Sequence, residues 1–81
     1  MKYLDKTLMD IRVATKQLDL MVNEEENKKI IKEKLYELLD LGIILNEEIV
    51  ELMLYNAIEN YMEVTHRDIF YLNIEFIEGE F

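Results

Sequence analysis

The chain has 81 residues, no cysteine, no serine, no proline, two glycines and a formal net charge of −9. That inventory excludes disulfides, thiolate metal sites and serine or cysteine nucleophiles, and the sign of the charge opposes nucleic acid and anionic membranes. A chain this short buries only about 60% of its unfolded surface, so despite an apolar share of 51% a second copy or a partner protein is expected to complete a single domain spanning 1–81.

The first element is a helix over about 4–22. Leu4, Leu8, Ile11, Thr15, Leu18 and Val22 are spaced 4, 3, 4, 3, 4, the seam of a helix that packs along one face. Met9, Val13 and Leu20 form a second, sparser stripe and are candidate interface residues. Lys6 and Asp10 are four apart and can pair.

A second helix is expected over about 24–40. Asn23 followed by three glutamates reads as an N-cap with a capping box, and Glu24 and Glu25 stand four before Lys28 and Lys29. Ile31, Leu35, Leu38 and Leu39 supply its core face, and Gly42 is free to take the left-handed turn that ends it. The short break near residue 22 favours an antiparallel hairpin over one long bent helix.

The third helix, about 46–62, has the widest apolar surface. Ile49, Val50, Met53, Ala57 and Tyr61 share an arc that Leu52, Leu54 and Ile58 widen on both sides. A helix with one neighbour needs a narrower stripe, so this helix is expected at the centre. Asn46 caps it, with Glu47 and Glu48 in the first turn where the helix dipole favours negative charge.

The tail changes period. Phe70, Leu72, Ile74 and Phe76 alternate with Tyr71, Asn73 and Glu75, a strand pattern on β-favouring residues. The expected fold is mainly α: a small bundle of three helices with a strand-like tail over about 68–77. The alternative is a four-helix bundle with the tail as helix 4, supported by a Thr65/Asp68 capping box and Gly79 as C-cap. A lone strand needs an edge to pair with, so the tail residues Phe70, Leu72, Ile74 and Phe76 join the candidate interface.

Charge is divided unevenly. Residues 1–40 carry eight basic and nine acidic side chains, net −1, and residues 41–81 carry one basic and nine acidic, net −8. Glu47, Glu48, Glu51, Glu59, Glu63 and Asp68 make a candidate acidic surface, placed where a basic partner would bind.

Catalytic chemistry finds little footing. Glu63 and His66 match one Glu-x-x-His step of a carboxylate-bridged di-iron bundle, but such a site needs two steps and the chain has one histidine. Lys28, Lys29, Lys32 and Lys34 are interleaved with Glu25, Glu26, Glu33 and Glu37, which cancel the field a DNA-reading helix needs. The expectation is a non-enzymatic protein–protein interaction module without catalytic, cofactor or metal residues: a small regulatory or adaptor subunit acting as a homodimer or in a complex. Alternatives are an acidic inhibitor that mimics nucleic-acid charge to block a basic protein and, less in keeping with the composition, a DNA-binding regulator. No basic stretch followed by an apolar run opens the chain, and no apolar run reaches membrane-spanning length. A signal peptide and a membrane partner are therefore not expected, and the lack of cysteine fits a reducing, cytoplasmic setting.

Overall fold

The seam of the first helix is where the core begins. In the computed structural model, which describes residues 2–79, Leu4, Leu8, Ile11, Thr15 and Leu18 are all buried on α1 (Lys2–Asp19), joined by Thr7 and Ala14. Thr15 satisfies its buried hydroxyl by donating to the Ile11 carbonyl at 2.9 Å, so a polar residue sits in the seam without an unpaired group. Three more helices follow: α2 (Glu24–Asp40), α3 (Glu47–Asn60) and α4 (His66–Glu78).

α1 and α2 form the antiparallel hairpin. Asp10 meets Lys34 at 3.7 Å near one end, and Gln17 accepts from Asn27 at 3.0 Å near the other. α1 stops three residues before the expected Val22. Met21 takes φ 58, and the Met21 and Val22 amides bond back to Leu18 and Gln17 at 2.9 Å each. That is a Schellman turn built on methionine instead of glycine, and Val22 is left exposed. Asn23 does not cap α2 through its side chain as expected. It too is left-handed, at φ 45, and buried Asn27 closes the turn by donating to the Val22 carbonyl at 2.8 Å.

The other end of α2 is as the sequence reads. Gly42 has φ 74, and the Gly42 and Ile43 amides bond to Leu39 and Leu38 at 3.0 Å each, satisfying carbonyls the helix leaves open. The apolar connection tucks inward through Ile44, which is fully buried.

The central helix is α2, not the helix beginning at Asn46. α2 packs on both α1 and α3, whereas α1 and α3 barely meet. Ile31, Leu35 and Leu38 of α2 are completely buried. α3 does bury Ile49, Val50, Met53 and Ala57, but Leu52 is 39% exposed, and the width of its apolar surface serves a different neighbour. α3 ends at Asn60, because Tyr61 turns left-handed at φ 54.

The strand-like tail is overturned: the tail is helix α4, and no strand occurs among the described residues. Both ends are fixed locally. Thr65 and Asp68 form a reciprocal capping box, and Gly79 closes the C-terminus at φ 76. A helix satisfies its backbone groups within itself, while a strand needs an edge that this all-helical chain does not offer. The cost is apolar residues spread around α4, of which Ile69 is buried and Leu72 partly packed on the core.

Residues 61–65 form a strap that returns along α1. Glu63 pairs with Arg12 at 3.4 Å, and His66, at the start of α4, meets Asp5 at 2.7 Å. Val64 is the buried residue of the strap. Asn73 then clasps the α2–α3 connection, donating to the Ile43 carbonyl at 2.9 Å and accepting from the Leu45 amide at 3.1 Å. The described chain measures 38 × 26 × 18 Å. Its short dimension is about two helix diameters, so every helix keeps an outer face.

Candidate functional site

α4 is the helix least absorbed by the core. A helix that is apolar all round is a buried helix, yet Phe70 is 60% and Ile77 69% exposed. Phe70, Ile74 and Ile77 follow one another by four and three residues, which places them on one side of the helix. Ile69 and Leu72, on the other side, face the core.

Between α3, the strap and α4 lies a cavity of about 220 Å³. Its apolar walls are Leu52 and Met53 from α3, Met62 and Val64 from the strap, and Tyr71 and Leu72 from α4. Asn56, Glu63 and Asp68 supply the polar lining. Pockets for small-molecule ligands run to roughly 300–1,000 Å³, so this one is below that range and closer to the size of a single large side chain. Leu52, Met62 and Tyr71 are each exposed as well as lining it. The Tyr71 ring stands edge-on to Phe70, centroids 5.6 Å apart, so one aromatic pair links the cavity wall to the first residue of the outer side of α4.

The expected interface residues divide among several surfaces. Met9 borders a groove with Arg12 and the strap, and Val13 leans into the groove between α1 and α2 beside Ile30. Leu20 sits at the turn with Met21 and Val22, all exposed. In the tail, Phe70 and Phe76 are exposed and Ile74 partly so, while Leu72 turns inward. Alternation grouped these four because it assumed a period of two. At the helical period the set is Phe70, Ile74 and Ile77, and Tyr71 belongs to the cavity.

Most of the expected acidic surface is engaged in holding the fold. Glu51 accepts a very short hydrogen bond from the Tyr36 hydroxyl, and Glu47 lies 3.3 Å from the same oxygen. The bond to Glu51, then burial, then the charges of Glu51 and Glu47 push the Tyr36 hydroxyl up from its ordinary 10.0 to about 12. Glu63 is paired with Arg12, and Asp68 accepts from Thr65. Glu48 and Glu59 remain without a side-chain partner among the described residues. They stand four before and seven after Leu52, on the same side of α3.

The Glu63–His66 step does not lie on one helix, since Glu63 is in the strap and His66 opens α4. Among the described residues, no three histidine or carboxylate side chains gather as a metal site. Among those residues, too, no helix is long and apolar enough to cross a membrane.

No protein family, curated protein or solved structure matches this chain. Any functional reading therefore rests on the surface just described.

Proposed function

We propose that the chain is a protein–protein interaction module, a small accessory or regulatory subunit that binds through the half containing α4. One observation carries this reading: α4 presents a second apolar side, Phe70, Ile74 and Ile77, on a helix whose one buried residue is Ile69. Fully covering an exposed large apolar side chain stabilises by about 1.5–3 kcal/mol, part of which each of these partly exposed residues forgoes, and aromatic anchors of this kind dominate binding energy at interfaces. Charge mimicry is less well supported, because four of the six candidate carboxylates already bond to Tyr36, Arg12 or Thr65.

The test is the double substitution Phe70→Ser/Ile77→Ser in the tagged chain. Its bound proteins are compared quantitatively with those of the parent, and light scattering is run on both. A discrete companion retained by the parent and lost by the variant, with helix content unchanged by circular dichroism, supports the reading. Equal recovery by both chains, with both monomeric, overturns it.

A further inference from the structure

Resting on the reading above, we propose that the cavity between α3 and α4 is the anchoring pocket of the interface, and that its occupant is a large apolar side chain on a basic segment of a partner protein. The cavity has an apolar floor in Met53, Val64 and Leu72 and an exposed apolar mouth in Leu52, Met62 and Tyr71. That is the form of a hot-spot pocket, which excludes water around one inserted anchor.

Charge sets the occupant. Glu63 and Asp68 line the cavity, and the uncommitted Glu48 and Glu59 flank Leu52 along α3. No lysine or arginine is among the lining residues. Arg12 of α1 pairs with Glu63, but Asp68, Glu48 and Glu59 have no basic partner among the described residues and residues 41–81 carry one basic against nine acidic side chains, so the field over the pocket is net negative. A segment with Lys or Arg within a turn or two of its anchor gains attraction at the rim while the anchor is desolvated. A second copy fits less well. A two-fold dimer places the same patch against itself, which sets these carboxylates opposite their own counterparts. A head-to-tail contact would offer the pocket the first half of a neighbour, whose eight basic and nine acidic side chains leave no net positive charge to attract.

The probe is a fluorescein-labelled amphipathic helix of leucine and lysine, about fourteen residues or roughly four turns long. Two companions have Glu in place of Lys, or Ser in place of Leu. Binding is followed by anisotropy, and the contact surface by methyl shifts of the wild-type chain. The Leu–Lys peptide is expected to bind and to weaken with salt, while both companions bind at least about tenfold more weakly, the scale of losing an anchor or its complementary charge. The largest shifts are expected at Leu52, Met53, Val64 and Leu72. Leu52→Ala/Tyr71→Ala and Glu48→Lys/Glu59→Lys should each weaken binding about tenfold or more, and since all four side chains are exposed, helix content should stay as it is.

Equal binding of the Leu–Lys and Ser–Lys peptides would mean simple charge attraction and overturns the pocket. Shifts lying elsewhere overturn it also. So does a dimer in light scattering that Leu52→Lys dissolves, since the occupant is then a second copy. These outcomes are separate from failure of the interaction-module reading, which shows as unchanged recovery with the Phe70→Ser/Ile77→Ser variant.

Discussion

Asn73→Ala tests how α4 is attached. The side chain makes two bonds to the α2–α3 connection, one to the Ile43 carbonyl and one from the Leu45 amide. Each such bond contributes a net of about 0.5–1.5 kcal/mol. Leu45 is exposed, so water replaces part of its loss, and the sum is about 1–2 kcal/mol. The rest of the attachment is small: Ile69 buried, Leu72 partly buried, and the exposed Asp5–His66 pair, a class of pair worth about 0–1 kcal/mol. The loss should therefore fall on the opening of α4, which precedes global unfolding, and it lowers the free energy of both openings by the same amount. Hydrogen exchange read by mass spectrometry should show amides of residues 69–78 exchanging about 5–30-fold faster, the ratio matching about 1–2 kcal/mol. Amides near Ile31, Leu35 and Leu38, which exchange through global unfolding, should accelerate by the same ratio but from a much higher protection. Equal protection of α2 and α4 amides in the parent would refute the reasoning, because α4 would then be part of one cooperative unit with the core.

Met21→Gly should raise stability by about 0.5–1 kcal/mol, because a non-glycine left-handed residue costs about 1–2 kcal/mol and glycine returns part of that gain as unfolded-state entropy. Met21 is 76% exposed, so no packing is lost, and the thermal midpoint should rise by about 2–8 °C; Met21→Ala giving the same rise would rule out the backbone cause. Leu35→Ala should cost about 2–5 kcal/mol and Leu52→Ala under about 1 kcal/mol in urea unfolding, and the reverse order would restore α3 as the central helix. Tyr36 has its folded value raised above its ordinary 10.0 to about 12, so its bond to Glu51 stabilises fully below pH 10 and is lost as pH rises toward 12. Absorbance titration should show one tyrosine ionising late, and Glu51→Gln should bring it back toward 10; five tyrosines titrating together in the parent would contradict the geometry.

The helical part of the fold was legible because its signals are local. The seam from Leu4 to Leu18 fixes the inner face of α1, and Gly42 marks the end of α2. The tail carried two contradictory signals, alternation from Phe70 to Phe76 and helix caps at Thr65, Asp68 and Gly79. The caps prevail because they satisfy backbone groups without outside help, whereas alternation needs a neighbouring strand to have any effect. Met21 and Tyr61 were unreadable, since nothing in a methionine or tyrosine announces a positive φ; Asn23 is a residue type that takes one readily, but the three glutamates after it made it read as a side-chain cap. Breadth of apolar surface misplaced the centre of the bundle: α3 is broad because Leu52 faces the cavity with α4, not because it is enclosed. Phe70 and Ile74 were visible as interface candidates. The cavity was not, because Leu52, Met62 and Tyr71 come together only when the strap folds back along α1.

That strap also separates the order of events in folding. The α1–α2 and α2–α3 contacts join sequence neighbours and close short loops. Asp5 and His66 are 61 residues apart, and contacts at that separation carry a loop-closure cost that the helical hairpins do not. The docking of the strap and α4 is thus expected to follow the rate-limiting barrier. Truncating Val64 or Ile69 should then speed unfolding while leaving the refolding rate almost untouched. On this view the residues that position the proposed binding surface govern how long the native state lasts, while those of the α1–α2 hairpin govern how quickly it is reached.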